Sequence, residues 1–154
     1  MLSLIPKIIE ANEQIESVSL GAGNTGRPFD LETDRRVAEF KFIHWRGGAE
    51  SIRQNNLFKD YFLLAEHETA KRKELYVLGT RYPIKFLSSG RSLKSILSKN
   101  SKVADEYFAI YGDRFKTVGD YFGFRCDAVA IGDAALLIPE LVVKALEVAA
   151  NSPE

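Results

Sequence analysis

The sequence predicts a single α/β domain built on a central mixed β-sheet flanked by helices. Three observations predict it. The chain has 154 residues, 45% of them hydrophobic and 27% charged, which suits one globular core and makes two full domains unexpected. Two runs of strand character, Phe29–Glu32 and Val37–Ile43, are separated by the turn-prone Thr33-Asp34-Arg35-Arg36, so a hairpin is expected. A helical pattern over residues 49–66 then precedes the apolar run Leu75-Tyr76-Val77-Leu78. Strand, helix and strand over such a span suit a crossover connection in a mixed sheet.

The elements follow in order. Ser3 is placed to cap a first helix and Pro6 suits its first turn, with Ile5, Ile8, Ile9, Asn12 and Ile15 recurring at helical spacing, so a short amphipathic helix is expected to run to about Glu16. A strand at Val18-Ser19-Leu20 leads into Gly21-Ala22-Gly23-Asn24-Thr25-Gly26. That string matches the spacing of a dinucleotide phosphate loop, but the fingerprint needs a helix directly behind it, and Arg27-Pro28-Phe29-Asp30-Leu31 reads as strand. A glycine turn is the expected role.

In the hairpin, side chains alternate, so Glu39 and Lys41 share one face with Val37 and Ile43, and Ala38, Phe40 and Phe42 share the other. With Asp34 and Arg35 as the two loop residues, Asp30 falls directly opposite Glu39. Facing carboxylates destabilise a sheet unless a cation or proton neutralises them, so the pairing points to a divalent metal held by Asp30 and Glu39, with the Lys41 amine close to both. A three-residue loop would move Asp30 to the Phe40 face and abolish the site.

The helix over 49–66 carries Ile52, Leu57, Phe58, Tyr61, Phe62 and Ala65 at core spacing, with Arg53 and Gln54 in its first turns. Residues 91–111 read as another helix with an interruption at Ser101, 128–131 as a further strand, and 140–150 as a closing helix behind Pro139. Cys126 is the only cysteine, which excludes an internal disulfide and a zinc site of several thiolates and fits a small packing residue. His67-Glu68-Thr69-Ala70-Lys71 ends in lysine where a zinc-protease helix needs histidine. No apolar run reaches the roughly 18 residues of a membrane span, and Met1–Pro6 lacks a secretory pattern, so a cytoplasmic protein with no membrane partner is expected.

Formal charge is zero, with 21 basic and 21 acidic residues, yet residues 71–102 hold nine basic groups and one acidic. This block, with Lys71, Arg72, Lys73, Arg81, Lys85 and the cations up to Lys102, is either a phosphate-facing surface or a solvated one whose balance comes from acids elsewhere.

Asp30 followed by Glu39-Phe40-Lys41, set after a short helix and before a long one, resembles the PD-(D/E)xK nuclease superfamily. Pro28-Phe29-Asp30 stands for the family's proline-acid start with one residue inserted, and the likeness covers about residues 4–80. The resemblance implies a restriction endonuclease-like fold and a magnesium-dependent nuclease acting on DNA, with manganese as substitute metal. It implies catalytic roles for Asp30, Glu39, Lys41 and Gln54. Asp30 and Glu39 would hold the metal with a first-helix glutamate, Glu10 or Glu13. Arg53, Lys71, Arg72, Lys73, Arg81 and Lys85 would then contact nucleic acid. These residue types suit the chemistry: phosphodiester hydrolysis needs a hydroxide-like nucleophile and relief of charge growing on phosphate, and carboxylate-bound Mg²⁺ supplies both. Lys41 acts either as a charged donor to water or as a base. The alternative is a catalytically inactive relative serving as a nucleic-acid- or protein-binding module, and a homodimer is compatible with either.

Overall fold

A computed structural model describes residues 1–19, 28–45 and 50–141. The hairpin organises it. β2 (Leu31–Thr33) and β3 (Arg36–Lys41) pair antiparallel with Leu31 opposite Ala38 and Glu32 opposite Val37, the register set by a loop of Asp34 and Arg35. β1 (Ile15–Val18) adds antiparallel to β2. β4 (Arg72–Val77) and β5 (Ala130–Asp133) add parallel beyond β3, giving the mixed order β1-β2-β3-β4-β5. The crossover between β3 and β4 carries α2 (Ser51–Glu66).

Both sheet faces are covered, which is why the central strands are buried almost throughout. On one face Val37, Leu75 and Val77 pack against Leu57, Phe58, Tyr61, Phe62, Leu64 and Ala65 of α2. Behind α2 lie α3 (Arg81–Leu87), α4 (Leu93–Leu97), α5 (Ser101–Tyr111) and α6 (Val118–Phe124), whose Leu93, Leu97, Tyr107 and Tyr121 extend the same core. On the other face Leu31, Ala38, Phe40, Tyr76 and Leu78 pack against α1 (Ile5–Ile8) and α7 (Ala134–Leu137). The result is one α/β domain with helices on both sides of the sheet. Among the described residues no helix is long and apolar enough to cross a membrane.

Several expectations are corrected. The first helix ends at Ile8 instead of about Glu16. Asn12 takes φ 64°, a left-handed conformation that a helix cannot continue through, and Ile15 begins β1. Ser3 does not cap it; Leu4 holds that position without a side-chain bond. Residues 91–111 break at the expected Ser101, where the Asn100 side chain accepts from Val103 N–H and caps α5 anew. Cys126 is exposed. The glycine string lies outside the described residues, as do positions 142–150 of the expected closing helix.

A buried ionic network fixes the start of β3. Arg36 donates from Nε to Glu13 Oε1 at 2.6 Å, from Nη2 to Glu13 Oε2 at 2.7 Å and from Nη1 to Glu74 Oε2 at 2.9 Å. Thr33 Oγ1 donates to Glu13 Oε1 at 2.6 Å, and Tyr76 donates its hydroxyl to Glu74. The paired Arg36 guanidinium holds the Glu13 carboxyl down at about 2 against an ordinary 4.5, despite burial. On the helical side, Gly119 permits a close approach: its N–H donates to Ser89 O at 2.9 Å, and a Cβ there would meet the carbonyl oxygens of Ser88 and Ser89 at 2.9 Å.

Candidate active site

The hairpin register brings two of the expected residues together. One step beyond the Leu31–Ala38 pair, Asp30 stands beside Glu39, and Asp30 Oδ2 accepts the Phe40 N–H at 3.0 Å. Strand alternation then puts Glu39 and Lys41 on the face that α2 covers. Lys41 Nζ lies 2.8 Å from Glu39 Oε1 and 2.8 Å from Asp60 Oδ2. The ammonium expected near both Asp30 and Glu39 therefore pairs with Glu39 and with Asp60, an α2 residue that the sequence reading passed over. Asp60 has its own signal. It sits three positions after Leu57 and four before Leu64, on the buried stripe of α2, and a carboxylate on such a stripe needs a partner.

The electrostatics follow from burial and crowding. Burial pushes the Glu39 carboxyl above its ordinary range; Lys41 opposes this, while the charges of Asp60 and Asp30 add to it. Burial pulls the Lys41 ammonium down, but Asp60 and Glu39 outweigh it and the net shift is upward. Lys41 is thus held charged, which favours the donor over the base of the two roles weighed for it. Two carboxylates, those of Glu39 and Asp60, flank the Lys41 ammonium, with Lys59 Nζ 3.4 Å from Asp60 at the edge, and Asp30 lies on the far side of Glu39, its Oδ2 on the Phe40 N–H.

Lys41 and Asp60 open onto a cleft of about 610 Å³, whose walls include Trp45, Arg53, Asn56 and Lys59. It lies at the carboxyl end of β3, the end where open parallel sheets commonly bind ligands. Oxygen donors in negative excess suit a hard divalent cation such as Mg²⁺, so the donor chemistry of Asp30 and Glu39 fits the expected metal. Among the described residues no group of three or more His, Cys, Asp or Glu is positioned as a metal cage.

Other expected residues lie elsewhere. Glu10 pairs with Arg35 at 3.1 Å and Arg72 at 2.5 Å, and Glu13 is enclosed by Arg36 and Thr33. Both belong to the amino-terminal end of β3, three to five residues before Glu39 and Lys41, roughly 10–17 Å along a strand. A helix ending at Ile8 cannot carry either glutamate to the other end of the strand. Gln54 lines a neighbouring cavity instead of the cleft. Arg53 lines the cleft and pairs with Glu50 at 2.7 Å.

The basic block divides. Lys71 is bound to Glu16 at 2.7 Å and Glu32 at 2.9 Å, Arg72 to Glu10, and Lys73 Nζ to the Ala65 carbonyl at 2.9 Å. These three lie at the start of β4, paired with the start of β3 and away from Lys41. Arg81 and Lys85 lie on α3, which follows the carboxyl end of β4 and packs in the core that α2 shares; Lys85 lines a cavity beside the cleft. Comparison with protein-family models, with curated proteins and with solved structures gives no match.

Proposed function

We propose that the protein is a metal-dependent nuclease of PD-(D/E)xK type, hydrolysing phosphodiester bonds in DNA from a restriction endonuclease-like core. One observation supports this reading: Asp30 adjoins Glu39 across the hairpin, and Lys41, paired with Glu39, lines a cleft. Asp30 and Glu39 would hold Mg²⁺, which when bound supplies charge relief and an acidified water. Lys41, kept protonated by Glu39 and Asp60, donates hydrogen bonds to water or to phosphate oxygen. Asp60 aims Lys41 and is a positioning residue. Arg53 and Lys59 also line the cleft, each beside an acid there, Arg53 with Glu50 and Lys59 with Asp60.

The test is cleavage of single-stranded, duplex and branched DNA in Mg²⁺ or Mn²⁺. Asp30→Ala, Glu39→Ala and Lys41→Ala should each lower the rate by at least about a hundredfold while circular dichroism remains that of the folded protein. Absence of cleavage by the wild type on all three substrates would refute the reading. The ion pairing of Lys41 to both Glu39 and Asp60 favours a second reading, an inactive relative that binds nucleic acid or protein; its partner would bind equally well in chelator.

A further inference from the structure

Beside the cleft lies a second cavity of about 320 Å³, and Trp45 and Glu50 line both. Tyr82 and Lys85 of α3, Arg91 beyond it and Gln54 of α2 complete the wall. Three features of this wall await a ligand. Gln54 Oε1 is shut off from solvent and has no hydrogen-bond partner among the described residues, and an unmet buried acceptor is costly enough that an arriving donor is welcome. Lys85 and Arg91, unlike Lys71 and Arg72, enter no ion pair among the described residues. Tyr82 supplies an aromatic surface, with the Arg81 guanidinium 5.5 Å from its ring centroid.

We propose that this cavity is a nucleotide subsite that receives one unstacked base of the strand whose phosphate occupies the adjoining cleft. The inference rests on the nucleic-acid reading of that cleft. A turn of the Gln54 amide about its broad terminal torsion brings the unpaired oxygen to the cavity, where it accepts an N–H from the base edge; Tyr82 offers a stacking surface, and Lys85 and Arg91 neutralise flanking phosphates. The volume is at the small end of ligand sites, about 300–1,000 Å³, and a base enters such a cavity only when it has left its stack, so the ligand is a single strand or a base swung out of a duplex. Gln54 is accordingly a binding residue one cavity away from the reacting phosphate.

The experiment is anisotropy binding in chelator, where no cleavage intervenes, using a labelled single-stranded oligonucleotide, its fully abasic counterpart and competing deoxynucleoside monophosphates. Gln54→Leu should weaken binding of the intact strand about tenfold, the loss of one base contact, and leave binding of the abasic strand unchanged. Lys85→Glu with Arg91→Glu, both at exposed positions, should weaken both strands. Equal affinity of wild type and Gln54→Leu for the intact strand would overturn the inference, as would full occupancy by free monophosphates with no binding of the strand. Cleavage in Mg²⁺ is read separately. Cleavage with Gln54-independent binding removes the subsite and keeps the nuclease; Gln54-dependent binding without cleavage removes the nuclease and keeps the subsite.

Discussion

Replacing Glu13 by glutamine removes the charge that the buried Arg36 guanidinium grips from two directions, at 2.6 and 2.7 Å. The Glu13 side chain has no exposure, so solvent screens the interaction little. The fall of its carboxyl from an ordinary 4.5 to about 2, at about 1.4 kcal/mol per pH unit, corresponds to about 3 kcal/mol of folding stability at neutral pH. That agrees with the ~3–5 kcal/mol typical for breaking a buried ion pair. The sign follows from the depressed carboxyl. Its stabilisation is complete above 4.5 and is lost as pH falls toward 2, because the unfolded chain takes up the proton first. The gap between wild type and Glu13→Gln should therefore shrink from about 3 kcal/mol at pH 7 to about 1 kcal/mol at pH 3. Urea titrations followed by the fluorescence of Trp45, the only tryptophan and a buried one, measure both. A loss below about 1 kcal/mol at pH 7, or a gap that does not close on acidification, would refute the reasoning. Mg²⁺-dependent cleavage per folded molecule should be unchanged, since Glu13 is a strut and not a metal ligand.

Three more outcomes follow from the same geometry. Because Glu39 takes up its proton above the ordinary carboxylate range, the pH–rate profile should fall on its acid side above that range. Asp60→Asn, which removes one of the raising charges, should move the fall to lower pH, and a profile unmoved by Asp60→Asn would contradict the assignment. In DNA binding, Arg81→Ala should lower the slope of log K against log salt by about 0.9, whereas Lys71→Ala, already committed to Glu16 and Glu32, should leave it unchanged; equal slopes for the two would mean that the basic block acts as a whole. Gly119→Ala should destabilise by about 1–3 kcal/mol through collision with the Ser88 and Ser89 carbonyls, while Gly123→Ala, with nothing within 4 Å of its Cβ, should gain about 0.5–1 kcal/mol from helix propensity. Thermal unfolding distinguishes them, and parallel changes in midpoint would contradict the packing.

The hairpin, its register and the crossover helix were legible because their signals are local. A two-residue loop at Asp34-Arg35 and period-two alternation determine which side chains meet, and the convergence of Asp30 with Glu39 follows. The first helix was misread because its apolar spacing continues through Asn12 into Ile15, and only the left-handed turn at Asn12 ends it. Asp60 escaped because a helix pattern is read from its apolar residues, whereas its role depends on Lys41 arriving from a strand nineteen positions earlier. Lys71 and Lys85 look alike as sequence. What separates them is which end of the parallel strands each adjoins and which acids β1 and β2 bring to Lys71.

The Arg36 network also governs how the chain avoids a near miss. Sliding β3 by two residues against β2 would preserve every inward and outward side chain, so burial alone does not forbid the slipped pairing. It would, however, drag the guanidinium out of reach of Glu13 and Glu74 and strand three charges in the interior, an error of several kcal/mol. The ionic knot at one end of the strand thus acts as an anti-slip ratchet for the other, and the spacing from Arg36 to Glu39 becomes a ruler that delivers the second carboxylate opposite Asp30. Substitutions at Glu13 or Glu74 consequently lower the fraction of chains that reach the native register, and leave the distant carboxylates intact in those that do.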